Sequence, residues 1–184
     1  MPGLERMFVD YDLQLLRSIG SVMGLLLSSG NPRDAAEELA EGMFDPDTLE
    51  MAFDGLEDDA LQALSLLMSQ QSRLLASAFD RRFGELRPLG SATREREQPW
   101  TKPANIAEAL YYRGLIGRAF FPNAEGVPQE FVYIPDEVTY YLEQIELPPP
   151  PSTNERRPAP NPTAFISASS AIVDDATTLL AYLQ

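Results

Sequence analysis

Arginine side chains are the residues of this sequence best suited to bind another molecule through charge. Eight basic residues lie close together in the middle of the chain: Arg81, Arg82, Arg87, Arg94, Arg96, Lys102, Arg113 and Arg118. Guanidinium groups donate hydrogen bonds from a planar fork that matches phosphate oxygens. The set therefore predicts contacts with a nucleic-acid backbone.

Internal ion pairing is the alternative role for these side chains. Arg94 and Arg96 alternate with Glu95 and Glu97. Half-buried arginines often fix the geometry of a loop by pairing with carboxylates, whereas exposed pairs contribute little to stability. The sequence leaves both interpretations open.

The distribution of charge separates the middle of the chain from its ends. The formal net charge is −14, which opposes binding to a polyanion because phosphate contacts require Lys or Arg. Residues 73–118, however, hold nine basic and five acidic side chains. We call this segment the basic island, and the segments on both sides of it are acidic.

Aromatic residues cluster in and after the basic island: Trp100, Tyr111, Tyr112, Phe120, Phe121, Phe131 and Tyr133. Aromatic side chains interleaved with arginine can stack on the bases of single-stranded nucleic acid. In a small domain the same residues supply the core. We expect most of them in the core, and Tyr111 as the exposed member, because its neighbour Tyr112 points to a different side of the same helix.

Catalysis has few available groups in this sequence. Cys and His are both absent, which excludes disulfides, imidazole bases and the common zinc sites. No phosphate-binding loop of the GxxxxGK[ST] type occurs. The acidic runs at residues 57–59 and 174–175 are explained by the preference of helix starts for carboxylates rather than by a metal site. We predict no enzymatic activity, no cofactor and no metal.

Helices predominate among the predicted elements. Apolar spacing predicts a first helix over about residues 10–27. Asn31 with Pro32, and Asp45 with Pro46, mark the starts of two more helices. A fourth follows residue 57, and a fifth runs from the possible cap Ser72 to a stop at Gly84.

The second half of the chain predicts a helix followed directly by a β-hairpin. The charged segment around Trp100 has little periodicity and is predicted to be a loop. A helix capped by Asn105 stops at Gly114, and the short runs "GRAFF" and "QEFVYIP" are typical of two antiparallel strands. A closing helix capped by Asp136 follows. Three helices and then a hairpin is the order of a winged helix, with the hairpin as the wing.

Residues 79–138 carry a resemblance to a known family. The residues that carry it are Arg81, Arg82, Phe83, Gly84, Arg87, Arg94, Arg96, Pro99, Trp100, Ala109, Leu110, Tyr112, Gly114, Leu115 and the strand "QEFVYIP". Together they resemble the bacterial helicase-associated domain that is similar to the N-terminal region of XPB-type DNA helicases. The resemblance implies a winged-helix module that associates with DNA or with a helicase and has no ATPase of its own.

The predicted organisation has four parts: a helical lead-in at 1–56, a winged-helix domain at 57–146, a proline-rich linker at 147–165 and a further helix at 166–184. Because the last helix stops abruptly, we expect the chain to be part of something longer. No apolar run is long enough to span a membrane and no signal peptide is recognisable, so we expect a cytoplasmic protein.

Two functions follow from these observations. The favoured one is a non-enzymatic module that binds the DNA backbone weakly through the basic island. The alternative is a protein-interaction scaffold that uses the winged helix, the edge of the hairpin or the proline-rich linker. The net charge favours the scaffold, while the basic island and the resemblance favour DNA.

Overall fold

A computed structural model describes residues 1–122 and 126–151, and Met1–Pro151 form one compact unit. Within these residues the order is α1 (Leu4–Phe8), α2 (Leu13–Val22), α3 (Pro32–Gly42), α4 (Pro46–Phe53), α5 (Asp58–Ser69), β1 (Arg73–Leu75), α6 (Ala76–Phe83), α7 (Ser91–Glu97), α8 (Ile106–Tyr111), β2 (Gly117–Pro122), β3 (Pro128–Tyr133) and α9 (Asp136–Leu142). About half of the described residues are helical, and three strands form a small antiparallel sheet. Most of the predicted linker and all of the predicted helix at 166–184 lie outside the described residues.

Side-chain caps define the starts of several helices where the sequence predicts them. The Asn31 side chain accepts a hydrogen bond from the Asp34 N–H, and Asn105 accepts one from the Glu108 N–H. A proline at the first helical position follows Asn31 and Asp45, where a missing N–H has no cost. Asp136, predicted as a cap, is instead the first residue of α9.

The predicted hairpin is part of a larger sheet than expected. Its strands β2 and β3 pair over the whole of Gly117–Pro122 and Pro128–Tyr133, and the third strand, β1, pairs with the other edge of β3. The prediction included the two strands of the hairpin and missed the third strand of the sheet. The predicted helix from Ser72 begins at Ala76, because residues 73–75 are extended.

Two left-handed residues explain why β1 was missed. The chain reverses at Gln71 (φ 59°) and Ser72 (φ 58°), a conformation that usually selects glycine. The reversal is held in place because the Ser72 N–H donates to the Leu67 carbonyl, and the Ser72 carbonyl accepts from the Ile134 N–H. A turn without glycine or proline has no signal in the sequence.

The change from helix to strand after α8 depends on two glycines. Gly114 adopts φ +67°, and its Cα faces the Phe8 ring so closely that a Cβ would lie 3.1 Å from Phe8 Cζ. A Cβ on Gly117 would lie 2.6 Å from Met7 Sδ and 2.8 Å from Tyr133 Cζ. The turn therefore packs directly on α1, at the opposite end of the sequence.

One further helix replaces a predicted loop. Residues Ser91–Glu97 form α7, which ends at the left-handed Gln98 and buries none of its side chains. Lacking an apolar stripe, it has no periodicity from which a helix can be predicted. Trp100 follows it and packs edge-on against Tyr112, with ring centroids 6.4 Å apart.

A single apolar cluster occupies the interior of Met1–Pro151. Phe8, Ile19 and Leu39 from the first part of the chain join Phe79 and Leu110 from the second part, and all five are fully buried. The proposed boundary at residue 56 stays a prediction, although side chains on both sides of it share this core.

Glu38 of α3 accepts hydrogen bonds from the loop between α2 and α3. These bonds predict that the stability of the fold depends on pH. The N–H and hydroxyl groups of Ser28 and Ser29 donate to the Glu38 carboxylate at 2.9–3.1 Å and lower its pKa to about 2. Because the folded pKa is depressed below the ordinary 4.5, the contribution is complete above that pH and is lost as the pH falls toward 2. We expect Glu38→Gln to be less stable than the wild type at pH 7, and the difference to shrink below pH 4.5 in urea titrations. A difference that is independent of pH would contradict this assignment.

Candidate functional site

Arg87 lies at the centre of an internal ion-pair network. Its Nε and Nη2 donate to the two carboxylate oxygens of Glu108 at 2.6 and 2.9 Å, and its Nη1 donates to Glu97 at 2.8 Å. Glu108 is fully buried and also accepts the Ala104 N–H at 2.8 Å. Burial raises the pKa of Glu108, but hydrogen bonds from Arg87 and Ala104 outweigh this effect, so the pKa of Glu108 is below its ordinary value. Through this network Arg87 and Glu97, which precede α8 in the chain, are connected to Glu108 within α8.

Two further arginines of the predicted site are also paired within the protein. Arg94 contacts Asp12, the cap of α2, and retains only 11% side-chain exposure. Arg118 contacts Asp80 of α6, and Glu130 lies 3.6 Å from its other terminal nitrogen. Each side chain joins two separate elements.

Arg113 caps the end of a helix. Its Nη1 donates to the carbonyls of Ala52 and Asp54 at 3.0 and 2.6 Å, where α4 ends with unpaired backbone acceptors. Burial lowers the pKa of Arg113, which nevertheless stays a cation at neutral pH. Its charge therefore faces backbone oxygens inside the protein.

Four of the eight predicted cations remain at the surface: Arg81, Arg82, Arg96 and Lys102. Arg82 lies over the ring of Phe83, 5.7 Å from its centroid. Arg96 is 74% exposed, with Glu97 3.6 Å away. The structure thus divides the predicted site into four internally bonded arginines and four exposed cations.

Tyr111, the predicted stacking residue, is packed rather than exposed. It is half-buried, and its ring lies 5.5 Å from that of Tyr11 and 5.4 Å from that of Tyr112. Burial raises the pKa of Tyr111. The expectation of an exposed ring was wrong because residues near the N-terminus cover this side of α8.

Helix α8 itself presents no cation. Every residue of Ile106–Tyr111 is buried or half-buried, and the only charged one is Glu108. In a helix-turn-helix arrangement the helix that enters the major groove needs exposed donors for base edges and phosphates. Helix α8 has none to offer.

An exposed apolar groove between α4 and α9 is the feature that the sequence analysis missed. Its first part is a cavity of about 610 Å³ lined by Met43, Phe44, Pro46, Leu49, Asp136, Glu137, Tyr140, Tyr141 and Gln144. Phe44 is 61% exposed and Tyr140 is 69% exposed. We call this surface the α4–α9 groove.

A second cavity of about 570 Å³ continues the groove along α4. It is lined by Asp47, Glu50, Met51, Phe53, Asp54 and Tyr141. Tyr141 belongs to both cavities and stacks on Phe53, with ring centroids 5.2 Å apart. The pKa of Tyr141 is raised by burial and by the negative charge of Glu50. The groove is therefore lined by aromatic rings, and the carboxylates of its second cavity lie along α4.

One signal in the sequence points to this groove. Val138, Tyr141 and Leu142 follow the spacing of one helix face, whereas Tyr140 falls on the other side. An aromatic residue on the polar side of a helix is expected to keep its ring exposed to solvent. Phe44, in the short turn between two helices, has no comparable signal.

Among residues 1–122 and 126–151, no group of three or more acidic side chains is arranged to hold a metal ion. The described part of the chain also holds no helix of the length and apolarity that crossing a bilayer requires. No family model, curated protein or solved structure matched the chain. The resemblance to the helicase-associated domain thus stays a prediction.

Proposed function

We propose that this chain is a non-enzymatic protein-interaction module of winged-helix type, and that its contact surface is the α4–α9 groove. The order α5, β1, α6, α8, β2 and β3, with β3 between the other two strands, supports the winged-helix part of the proposal. Helix α7 is then an insertion between the second and third helices.

The exposed aromatic pair in the groove is the observation that carries the proposal. Phe44 and Tyr140 each leave more than half of the side chain in water although a well-packed core is available nearby. Contiguous exposed apolar surface, rimmed by polar groups, marks contact sites for proteins, and aromatic side chains dominate the energy of such contacts. A protein partner is therefore the ligand class that fits this surface.

DNA backbone binding is the second candidate, and the exposed cations favour it. Arg81, Arg82, Arg96 and Lys102, half of the predicted set, are exposed at the surface. The remaining half is bonded inside the protein, and the net charge of −14 repels a polyanion. The balance favours the protein partner, for which a helicase is the class implied by the resemblance.

Position-specific photo-cross-linking in the source cell tests the proposal. A photoreactive phenylalanine analogue at position 44 is expected to give discrete cross-linked protein species. The same analogue at position 120, which is 71% exposed on β2, is the matched control and is expected to give none of those species. Identical products at both positions, or none at position 44, would contradict docking at the groove.

Duplex DNA affinity measured against salt concentration separates the two candidates. For a protein module we expect little binding, and no change when Arg81 and Arg82 are both replaced by alanine. If DNA is the ligand, the double substitution should reduce the slope of log affinity against log salt by up to about 2, because each phosphate contact contributes about 0.9. A reduced slope together with retained folding would establish the DNA candidate.

A further inference from the structure

A stripe of exposed carboxylates follows α4 and its C-cap along the groove, and the guanidinium of Arg113, bonded to the Asp54 carbonyl, lies behind its end. Asp47, Glu50 and Asp54 are spaced by three and four residues, which places them on one side of the helix, and all three are exposed. Across residues 1–122 and 126–151, the structure has no ion pair to any of these three side chains. Like charges at this spacing repel each other, so the stripe is stabilised when a cation approaches it.

The other acidic residues of the groove are already engaged. Glu137 accepts the Leu4 N–H at 2.9 Å, and Asp136 accepts the amino group of Met1 at 2.6 Å. These two carboxylates hold α9 against the start of the chain. The charge that is free to meet a ligand therefore lies on the α4 side, next to Met51 and Tyr141.

The apolar part of the groove is adjacent to the carboxylate stripe. Phe44 and Tyr140 border the first cavity, and Tyr141 is shared with the second cavity, which contains the stripe. Among the described residues, those that line the two cavities include no Lys or Arg. A ligand that fills both cavities thus contacts apolar side chains in the first cavity and carboxylates in the second, with Tyr141 between the two sets.

We propose that the α4–α9 groove binds a basic amphipathic segment of a partner protein, with an apolar side chain between Phe44 and Tyr140 and Lys or Arg side chains along Asp47, Glu50 and Asp54. This inference rests on the proposed function and specifies the chemistry of the partner. Amphipathic segments bind apolar grooves through anchors one helical turn apart. Complementary charge then sets orientation and association rate.

The negative charge of the groove also disfavours two other ligands, a second copy of this chain and nucleic acid. A second copy of this chain would bring an equally acidic groove, and its net charge of −14 would add to the repulsion. Nucleic acid would place phosphates against the same carboxylates. A basic partner is the one for which every exposed charge of the groove is favourable.

Fluorescence anisotropy with the full chain and designed peptides tests the proposal. The probe is a labelled peptide of leucine and lysine at helical spacing. Two control peptides replace either lysine by glutamate or leucine by serine. We expect the leucine–lysine peptide to bind, with an affinity that falls as salt rises, and both control peptides to bind at least about tenfold more weakly.

Matched variants localise the binding to the groove. Replacing Phe44 and Tyr140 together by alanine should weaken binding of the leucine–lysine peptide about tenfold or more, while Phe120→Ala should leave it unchanged. Asp47→Asn with Glu50→Gln should weaken it and flatten its salt dependence. Glu85→Gln with Glu95→Gln removes the same charge elsewhere on the surface and should have little effect.

Several outcomes would overturn the inference. Equal losses in the groove and control variants would mean general attraction to an acidic protein, and equal binding of the glutamate peptide would exclude a basic partner. Sedimentation that shows a dimer lost in the Phe44 and Tyr140 variant would assign the groove to a second copy. If these peptide tests fail while cross-linking at position 44 persists, only the partner chemistry is wrong; if both fail, the proposed function fails too.

Discussion

Replacing Arg87 by alanine is expected to cause one of the largest losses of stability in this protein. The substitution removes two short hydrogen bonds and the counter-charge from Glu108, whose side chain has no access to water. A buried ionised carboxylate that loses its counter-charge costs about 3–5 kcal/mol, and the remaining hydrogen bond from the Ala104 N–H does not supply that charge. Urea unfolding of the variant, followed by circular dichroism, measures this loss directly.

Two controls distinguish the loss of the buried Arg87–Glu108 ion pair from the general effect of removing one positive charge. Arg96→Ala removes the same group at a 74% exposed position and is expected to change stability by no more than about 0.5 kcal/mol. Adding Glu108→Gln to Arg87→Ala removes the buried charge and should recover part of the loss, because a neutral amide is less costly to bury than a carboxylate. Equal effects of Arg87→Ala and Arg96→Ala would show that the network does not stabilise the fold.

Phe8→Ala is expected to destabilise the whole unit of residues 1–151 rather than its N-terminal part. Phe8 is fully buried against the turn at Gly114, on the far side of the proposed boundary at residue 56. Truncating a buried phenylalanine costs about 3–5 kcal/mol, which lowers the melting temperature of a unit of this size by roughly 10 °C. Thermal melts followed by circular dichroism and by fluorescence of Trp100, the only tryptophan, measure the change.

The two probes distinguish one cooperative unit from two. Trp100 lies in the second part of the chain and packs on Tyr112, so a shared core requires both signals to shift together. Phe120→Ala, at an exposed position, should leave both melts nearly unchanged. If Phe8→Ala shifts the circular dichroism signal and not the fluorescence, the lead-in folds separately.

Local signals made much of the helical structure predictable. Asn31 with Pro32, and Asp45 with Pro46, satisfy or remove the unpaired N–H groups of a helix start within a few residues. Such information needs no knowledge of the rest of the fold. The hairpin was equally visible, because its strands are close in sequence and consist of short aromatic and β-branched runs.

Two features that the sequence pattern did not predict, strand β1 and the pairing of the arginines, depend on contacts between residues far apart in the chain. Strand β1 exists because β3 offers it a free edge, and its turn uses Gln71 and Ser72 in a conformation that the surrounding hydrogen bonds enforce. The roles of the arginines depended on partners far away in sequence, such as Asp12 for Arg94. A cluster of positive charge in the sequence therefore predicted neither which of its members are exposed nor the apolar groove between α4 and α9.

Helix α7 is attached to the rest of the protein by ion pairs rather than by apolar packing, so its local stability differs from that of the core. No residue of α7 is part of the buried core, and within the part of the chain that the structure describes its ion pairs to other elements are Arg94 with Asp12 and Glu97 with Arg87. Dissolved salt weakens ion pairs in proportion to their exposure, so it acts more on the half-exposed pair of Glu97 with Arg87 than on the more buried Arg94, whereas apolar burial in the core is insensitive to screening. Local opening of α7 is thus less costly than unfolding of the core. We therefore expect rising ionic strength to make local opening of this segment more frequent while the core stays folded.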